Sequence, residues 1–205
     1  MSEVVPALVL ASGSPRRKAI LGLLGLEFEV LPAPEHVEAP PESGEPPETF
    51  AVRTARAKAD AVAEGRRSAL VVGADTIVVI GGEILGKPAG PGEAAAMLRR
   101  LAGRENVVLT AVAVRGPDGI ATSGIESTRV RFRGLSDPEI DAYVATGEPL
   151  DKAGAYGIQG YGAALVEGIE GCYFNVMGLP VVRLLSLLEE VGWAYEFPGR
   201  IRPLG

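Results

Sequence analysis

The chain has 205 residues, of which 47% are hydrophobic and 22% charged, the usage of an ordinary globular protein. One cysteine and one histidine exclude an intrachain disulfide, a cysteine-rich zinc site and a multi-histidine metal centre. A formal net charge of -6 argues against broad binding to a nucleic-acid polymer, but it allows a small anionic ligand held by local cations.

No apolar run approaches the ~18 residues that a membrane span needs. Near the N-terminus, the first cations, Arg16, Arg17 and Lys18, come after the apolar stretch, which is the wrong order for an export signal. We therefore expect a cytoplasmic protein that does not bind membranes.

Apolar periodicity and the positions of glycine and proline predict alternating strands and helices. In chain order we predict a strand over 7–12, a helix over 16–24 with Ser14 as its N-cap, a strand over 28–31, a helix over 48–64, a strand over 69–80 interrupted at 73–75, a strand over 83–85, a helix over 91–101, strands over 107–115 and 120–132, and helices over 136–147 and 180–191.

Three segments are predicted to be irregular. Residues 32–47 are rich in proline and glutamate, without lysine or arginine, and form an exposed loop with the length of a lid or an insertion. Residues 154–171 are glycine-rich with short strand pieces, and the tail from Phe197 is expected to be frayed. The fold class is α/β, a single domain over 1–205 with a mixed sheet, flanked by helices and split into two lobes around a cleft.

A first candidate site follows the first strand, where Ser12 leads into a helix whose first turn carries Arg16 and Arg17. Backbone N–H groups at a helix start attract anions, and arginine binds phosphate oxygens through two hydrogen bonds. Cations in the first turn oppose the helix dipole, so placing them there costs free energy unless an anion is bound. The pattern predicts a phosphate site, with an ordinary capped helix as the alternative.

A second candidate is Asp75, an isolated carboxylate followed by Thr76 within an apolar strand. Burial of a carboxylate costs free energy unless the group is paired, bound to a metal or catalytic, so either a functional group or a turn-forming aspartate is expected.

The four lysines stand out against sixteen arginines. A lysine ammonium is a compact point charge, so Lys58, Lys87 and Lys152 are expected to do what arginine cannot, such as fitting against a phosphate. For Lys87, in the sequence Gly86-Lys87-Pro88, a solvated loop lysine is the alternative.

A further candidate is the run from Gly147 to Gly160, which combines acids, Lys152, several glycines and Gln159, the only glutamine. Its apolar spacing is poor, and glycine lets backbone approach a ligand closely. We therefore predict a ligand-binding loop.

Together these motifs resemble the Maf family of nucleoside triphosphate pyrophosphatases. The resemblance is carried, in the family's order, by residues 10–17, 58–59, 74–76, 86–88, 151–160 and 176–180. It implies hydrolysis between the α and β phosphates, to a monophosphate and pyrophosphate, with a divalent metal, Mg²⁺ or Mn²⁺, as cofactor. It also implies the elongated, two-lobed mixed α/β architecture shared with the inosine triphosphate pyrophosphatases.

Within the family, residues 151–160 resemble the branch acting on dTTP and UTP. The resemblance places the general base on Asp75 and the substrate-selecting positions on Arg16, Thr76 and Gln159. The other positions expected to bind substrate are Ser12, Arg17, Lys58, Lys87, Asp151 and Lys152. One departure is Asn106, where many members carry histidine, so any role of that imidazole is absent.

Attack at phosphorus needs charge stabilisation and a positioned water. Asp75 could orient or deprotonate this water or bind the metal, and the sequence does not choose between these roles. Two other functions stay open: a same-fold pyrophosphatase for 7-methyl-GTP or other purine nucleotides, and a nucleotide-binding regulator of septum formation. The physiological nucleotide, the metal ligands and the existence of a homodimer are open as well.

Overall fold

The computed structural model describes residues 5–204, so residues 1–4 and 205, the two ends of the predicted 1–205 domain, lie outside the described part. The described strands are β1 (Leu8–Leu10), β2 (Glu29–Val30), β3 (Leu70–Ile80), β4 (Glu83–Leu85), β5 (Glu105–Arg115), β6 (Ala121–Phe132), β7 (Val166–Glu170), β8 (Trp193–Glu196) and β9 (Arg200–Pro203). The described α-helices are α1 (Pro15–Leu23), α2 (Pro47–Ala63), α3 (Pro91–Leu101), α4 (Asp137–Ala145), α5 (Tyr173–Met177) and α6 (Val181–Glu190).

Seven of these strands form one mixed sheet. Its order is β2-β1-β3-β5-β6-β7, and β4 pairs with β3 in antiparallel fashion. Strand β1 runs parallel to both neighbours, with Leu10 opposite Val30 on one side and Val72 on the other. The predicted mixed α/β class is confirmed.

The chain divides into two compact units. The first contains the residues up to Asp75, Thr110–Glu126 and the residues from Gly178 onwards, and the second contains Thr76–Leu109 and Ser127–Met177. Strands β3, β5 and β6 contribute residues to both units.

Each unit has its own apolar core. In the first unit, all three residues of β1 are buried, and α2 buries its small residues Ala51, Ala55 and Ala59. In the second unit, Phe132 packs edge-on against Tyr156 with ring centroids 4.7 Å apart. None of the helices within residues 5–204 combines the length and apolar character needed to cross a membrane.

Two element predictions are wrong. The strand predicted to break at 73–75 runs continuously as β3, because Gly73 packs against α2 and the charge of Asp75 is paired. The tail predicted to be frayed forms β9, which pairs in antiparallel fashion with β8, with Trp193 opposite Pro203 and Glu196 opposite Arg200. The hydroxyl of Tyr195 in this hairpin also donates to the carbonyl of Leu24 at 2.8 Å.

Candidate functional site

The parallel pairing of β1 and β3 places Ser12, just past the end of β1, beside the part of β3 that continues further and carries Asp75. The N–H of Ala11 donates to the carbonyl of Val72 at 2.8 Å, so Ser12 follows directly after the last paired residues. Asp75 lies three residues beyond Val72 on β3. The carboxyl end of a strand in such a sheet is where ligand-binding residues usually gather.

Helix α2 approaches β3 closely because residue 73 is glycine. A Cβ atom at Gly73 would lie 2.7 Å from the amide nitrogen of Ala59 and would collide with the carbonyl oxygen of Ala55. Side chains alternate along a strand, so Asp75 emerges on the same face of β3 as Gly73. This close packing lets the Lys58 ammonium donate to Asp75 Oδ1 at 2.8 Å.

Lys58 is also paired with a second carboxylate. Its Nζ lies 3.0 Å from Glu38 Oε1, and only 8% of the Lys58 side chain is exposed, against 13% for Asp75 and 55% for Glu38. A buried ammonium needs such partners, because burying an unpaired charge is costly. Asp75, expected to be isolated, is therefore one half of a buried ion pair.

Sequence reasoning missed Glu38, which lies in the acidic loop over residues 32–47. Its spacing and neighbours do not distinguish it from the other glutamates of this loop. Arg53 on α2 anchors the loop, since its guanidinium donates to both carboxylate oxygens of Glu45 at 2.8 Å and to the carbonyl of Pro40 at 3.1 Å. The hydrogen bonds from Arg53, followed by one from the Glu42 backbone, lower the pKa of Glu45 to about 2.

Of the three cations at the start of α1, Arg17 is the one whose side chain is buried and hydrogen-bonded to other residues. It is 8% exposed, and it donates through Nε to the carbonyl of Gly178 at 2.7 Å and through Nη1 to Ser12 Oγ at 2.9 Å. Burial lowers the pKa of Arg17, while the charges of Asp75 and Glu38 act in the opposite direction. Arg16 is half-buried and Lys18 is exposed.

The predicted N-cap is only partly correct. Ser14 occupies the N-cap position of α1, but its side chain makes no capping hydrogen bond. Its N–H instead donates to Ser12 Oγ at 3.3 Å, so the hydroxyl of Ser12 binds both this N–H and Arg17.

We call the residues Ser12, Arg17, Glu38, Lys58 and Asp75 the Lys58 cluster. It holds two cations and two carboxylates, all supplied by the first unit. The cations suit phosphate oxygens, and the carboxylates suit a water molecule or a divalent metal.

In the second unit, the backbone joins the loop around Lys87 to the predicted ligand-binding loop. The N–H of Gly154 donates to the carbonyl of Gly86 at 3.0 Å. Gly154 has a φ of +68°, and a Cβ there would lie 3.0 Å from three side-chain carbons of Val78, so only glycine fits. Lys87 itself is exposed.

Lys152 and Asp151 lie together in the same unit. The ammonium of Lys152 donates to the carbonyl of Glu148 at 2.6 Å and to Asp151 Oδ1 at 2.7 Å. Gln159 is exposed further along this loop. Thr76 follows Asp75 on β3, so its side chain lies on the opposite face of the strand.

Asn106, which stands at the position of a histidine in many family members, belongs to the core of the second unit. Its amide nitrogen donates to the carbonyl of Val130 at 3.1 Å, and its oxygen accepts from the Tyr156 hydroxyl at 3.0 Å. The side chain is therefore engaged in a buried structural network.

The fold and the Lys58 cluster define a mixed α/β protein in which a buried lysine is paired with two carboxylates, beside the residues that follow strand β1. The family model described as "Maf-like protein" matches residues 7–191, so the chain belongs to this family.

Several curated relatives cover almost the whole chain. A protein of Moorella thermoacetica named dTTP/UTP pyrophosphatase is 53% identical, over 90% of this chain and 95% of that protein. Proteins with the same name from Nitratidesulfovibrio vulgaris and Dictyoglomus thermophilum are 51% and 46% identical, over 90% and 91% of this chain and 87% and 97% of theirs. Among solved structures, the Staphylococcus aureus Ham1 protein is 16% identical over 78% of this chain and 79% of that one, with a TM-score of 0.47.

Proposed function

We propose that the protein hydrolyses dTTP and UTP between the α and β phosphates, giving the nucleoside monophosphate and pyrophosphate. Family membership supports this reaction, as do relatives named dTTP/UTP pyrophosphatase at 46% to 53% identity. The structural observation that carries the proposal is the ammonium of Lys58, held between the carboxylates of Asp75 and Glu38 beside the buried Arg17.

Arg17 and Lys58 provide fixed positive charge for the triphosphate. The Arg17 guanidinium is held in place by Ser12 and the carbonyl of Gly178, so little reorganisation is needed when a phosphate arrives. Preorganised charge of this kind is the main contribution a protein makes to phosphoryl transfer. Arg16, in the first turn of the same helix, adds a second guanidinium for the anion.

Asp75 acts on the attacking water. Lys58 fixes the orientation of the Asp75 carboxylate through Oδ1, and the carboxylate accepts a proton as the water oxygen bonds to the α-phosphorus. The bond from this phosphorus to the bridging oxygen breaks, and its electron pair leaves with pyrophosphate. The cations stabilise the negative charge that accumulates on the leaving group.

The donor set of the Lys58 cluster fits a divalent metal that arrives with the nucleotide. Glu38 and Asp75 converge on one cationic group, and Mg²⁺ is commonly held by one or two carboxylates together with substrate phosphates. When bound, Mg²⁺ or Mn²⁺ would neutralise phosphate charge and polarise the P–O bond. The test is removal of metal with a chelator, which should abolish turnover, followed by recovery on adding back either ion.

The activity is tested by measuring pyrophosphate release from common and modified nucleotides with Mg²⁺ or Mn²⁺ present. We expect UTP and dTTP to be the best substrates. In ¹⁸O-labelled water, the label should enter the nucleoside monophosphate, because attack is at the α-phosphorus. Label in pyrophosphate, or orthophosphate as the first product, would contradict the reaction, and tight binding with negligible turnover would favour the regulator instead.

A further inference from the structure

Glu148, which lies in the predicted ligand-binding loop but was not among the residues expected to bind substrate, organises the part of the loop that carries Gln159. Its Oε1 accepts hydrogen bonds from the Tyr143 hydroxyl and the Gly162 N–H, both at 2.9 Å. Its Oε2 accepts from the Tyr161 N–H at 2.8 Å. One half-buried carboxylate thus binds two backbone N–H groups just after Gln159.

The same carboxylate reaches the segment before Gln159 through Tyr143. The N–H of Gly157 donates to the Tyr143 hydroxyl at 3.4 Å, and this hydroxyl donates onward to Glu148. Tyr143 is 6% exposed and belongs to α4, a regular element of the second unit. The residues two before and two after Gln159 are therefore tied to one anchored carboxylate.

Glycines leave the space that this carboxylate occupies. A Cβ at Gly160, where φ is +65°, would collide with the carboxylate of Glu148 and lie 3.1 Å from its Cδ. A Cβ at Gly162 would lie 2.9 Å from the Tyr143 hydroxyl. Glycine at these two positions therefore leaves room for the hydrogen bonds of Glu148 and Tyr143.

The charge of Glu148 strengthens these contacts. Burial, the largest single effect, raises its pKa, but the hydrogen bonds from Gly162, Tyr161 and Tyr143 together outweigh it and leave the pKa lowered. The carboxylate is therefore ionised near neutral pH, and hydrogen bonds to an ionised acceptor are the stronger kind. At its other end, the carbonyl of Glu148 accepts from Lys152.

We infer that Glu148 is a positioning residue that holds Gln159 in place to select uracil or thymine over cytosine. The inference rests on the proposed function, in which the Gln159 amide matches the N3–H donor and O4 acceptor of uracil and thymine. An exposed glutamine has many rotamers, and a loop fixed on both sides lowers the cost of ordering it on the base.

Glu148→Gln is the first test, since the amide keeps the size and removes the charge. An amide has one acceptor oxygen and one NH₂ donor, so at least one of the three donors loses its partner. We expect the ratio of kcat/KM for UTP over CTP to fall ~10-fold, mainly through a higher KM for UTP, while kcat stays within ~3-fold. The matched control is Glu167→Gln, a carboxylate of the same unit paired with Arg131 at 2.9 Å, which should keep the wild-type ratio.

A double-mutant cycle separates positioning from general damage. If Glu148 acts through Gln159, adding Glu148→Gln to Gln159→Ala should not lower the UTP over CTP ratio further. Additive effects would overturn the inference, and so would a folded Glu148→Gln variant with unchanged selectivity. Tyr143→Phe keeps the ring and removes the hydroxyl that links Gly157 to Glu148, so it should lower the UTP over CTP ratio ~3-fold. If Glu148→Gln does not fold, an unchanged ratio in Tyr143→Phe overturns the inference.

The two proposals fail in different ways. Absence of pyrophosphate release by the wild type from any nucleotide would remove the proposed function. The ratio of UTP to CTP affinity, measured by equilibrium binding on the same variants, would then test Glu148 alone. A ratio that falls in Glu148→Gln supports the positioning role, and an unchanged ratio overturns it.

Discussion

In the first unit, the side chains of the Lys58 cluster project from or lie next to regular elements, and each buried charge is matched by another charge or a polar group. In the second unit, Glu148 instead binds backbone N–H groups of an irregular loop, and glycines leave room for it. The first arrangement fixes distances between charges, whereas the second fixes the path of the chain around one side chain. We therefore expect damage to the first to reduce turnover and damage to the second to reduce selectivity.

Asp75→Asn removes the carboxylate charge that is paired with Lys58 in the Lys58 cluster. We expect kcat to fall about 10³-fold, because the amide cannot accept the proton of the attacking water. The loss of one partner of the buried Lys58 should also lower the free energy of unfolding by about 1–3 kcal/mol, with Glu38 limiting the effect. Steady-state pyrophosphate release and thermal unfolding measure the two effects.

The matched control for this variant is Asp60→Asn, on α2 of the same unit, where the carboxylate pairs with Arg115 at 2.5 Å and is about half exposed. Turnover should stay within about 2-fold of wild type, since exposed ion pairs contribute little. Near-wild-type kcat in Asp75→Asn would remove this residue from the mechanism.

Gly73→Ala tests whether the close approach of α2 and β3 sets the geometry of the Lys58 cluster. The added methyl group meets the backbone of Ala55 and Ala59, so the helix must shift and carry Lys58 away from Asp75. We expect kcat to fall about 100-fold, since a displacement near 1 Å is enough for that. Stability should fall by about 1–3 kcal/mol through overpacking.

Gly22→Ala on α1 is the control for the methyl group, because nothing lies within 4 Å of a Cβ there. It should leave kcat unchanged and raise stability by about 0.5–1 kcal/mol. An unchanged kcat in a folded Gly73→Ala protein would show that the close packing does not position Lys58.

Gln159→Ala removes the exposed side-chain amide that is proposed to bind the base, in the loop organised by Glu148. We expect kcat/KM for UTP and dTTP to fall at least ~10-fold, because two hydrogen bonds to the base are lost, while weaker substrates change little. Thermal stability should barely move, since the side chain is exposed. If the variant keeps its pyrimidine preference in competition assays, the base is read elsewhere, with Arg16 and Thr76 next to be replaced.

Arg53→Gln should loosen the acidic loop over residues 32–47 of the first unit, since Arg53 binds Glu45 and Pro40 in this loop. Without the contacts to Glu45 and Pro40, Glu38 should meet Lys58 less often, and kcat/KM should fall only about 3-fold, the scale of a surface ion pair. Arg66→Gln, which removes an exposed pair with Glu29, should have no effect on kcat/KM. Equal values for the two variants would show that the anchoring of the loop is irrelevant to turnover.

Most of the secondary structure could be predicted from local patterns. The helix starting at Pro91 and the strand from Glu83 to Leu85 have the predicted bounds, because proline and glycine punctuate them clearly. The C-terminal hairpin could not be foreseen in the same way, since β9 gains its hydrogen bonds from β8 alone. The continuity of β3 through Asp75 likewise depends on a partner seventeen residues away along the chain.

The sequence by itself determined the mixed α/β class, the family resemblance and the candidate residues from Ser12 to Gln159, because these follow from residue types at fixed spacing along the chain. Only the tertiary structure decided which charges are neighbours: it pairs Lys58 with Asp75 and Glu38, and it gives Glu148 three donors. Glu38 was missed, and Glu148 was predicted only as part of a ligand-binding loop, because a carboxylate has the same local pattern whether it faces solvent or accepts buried hydrogen bonds. That difference arises from packing, which here depends on Gly73, Gly160 and Gly162 leaving space that a side chain would fill.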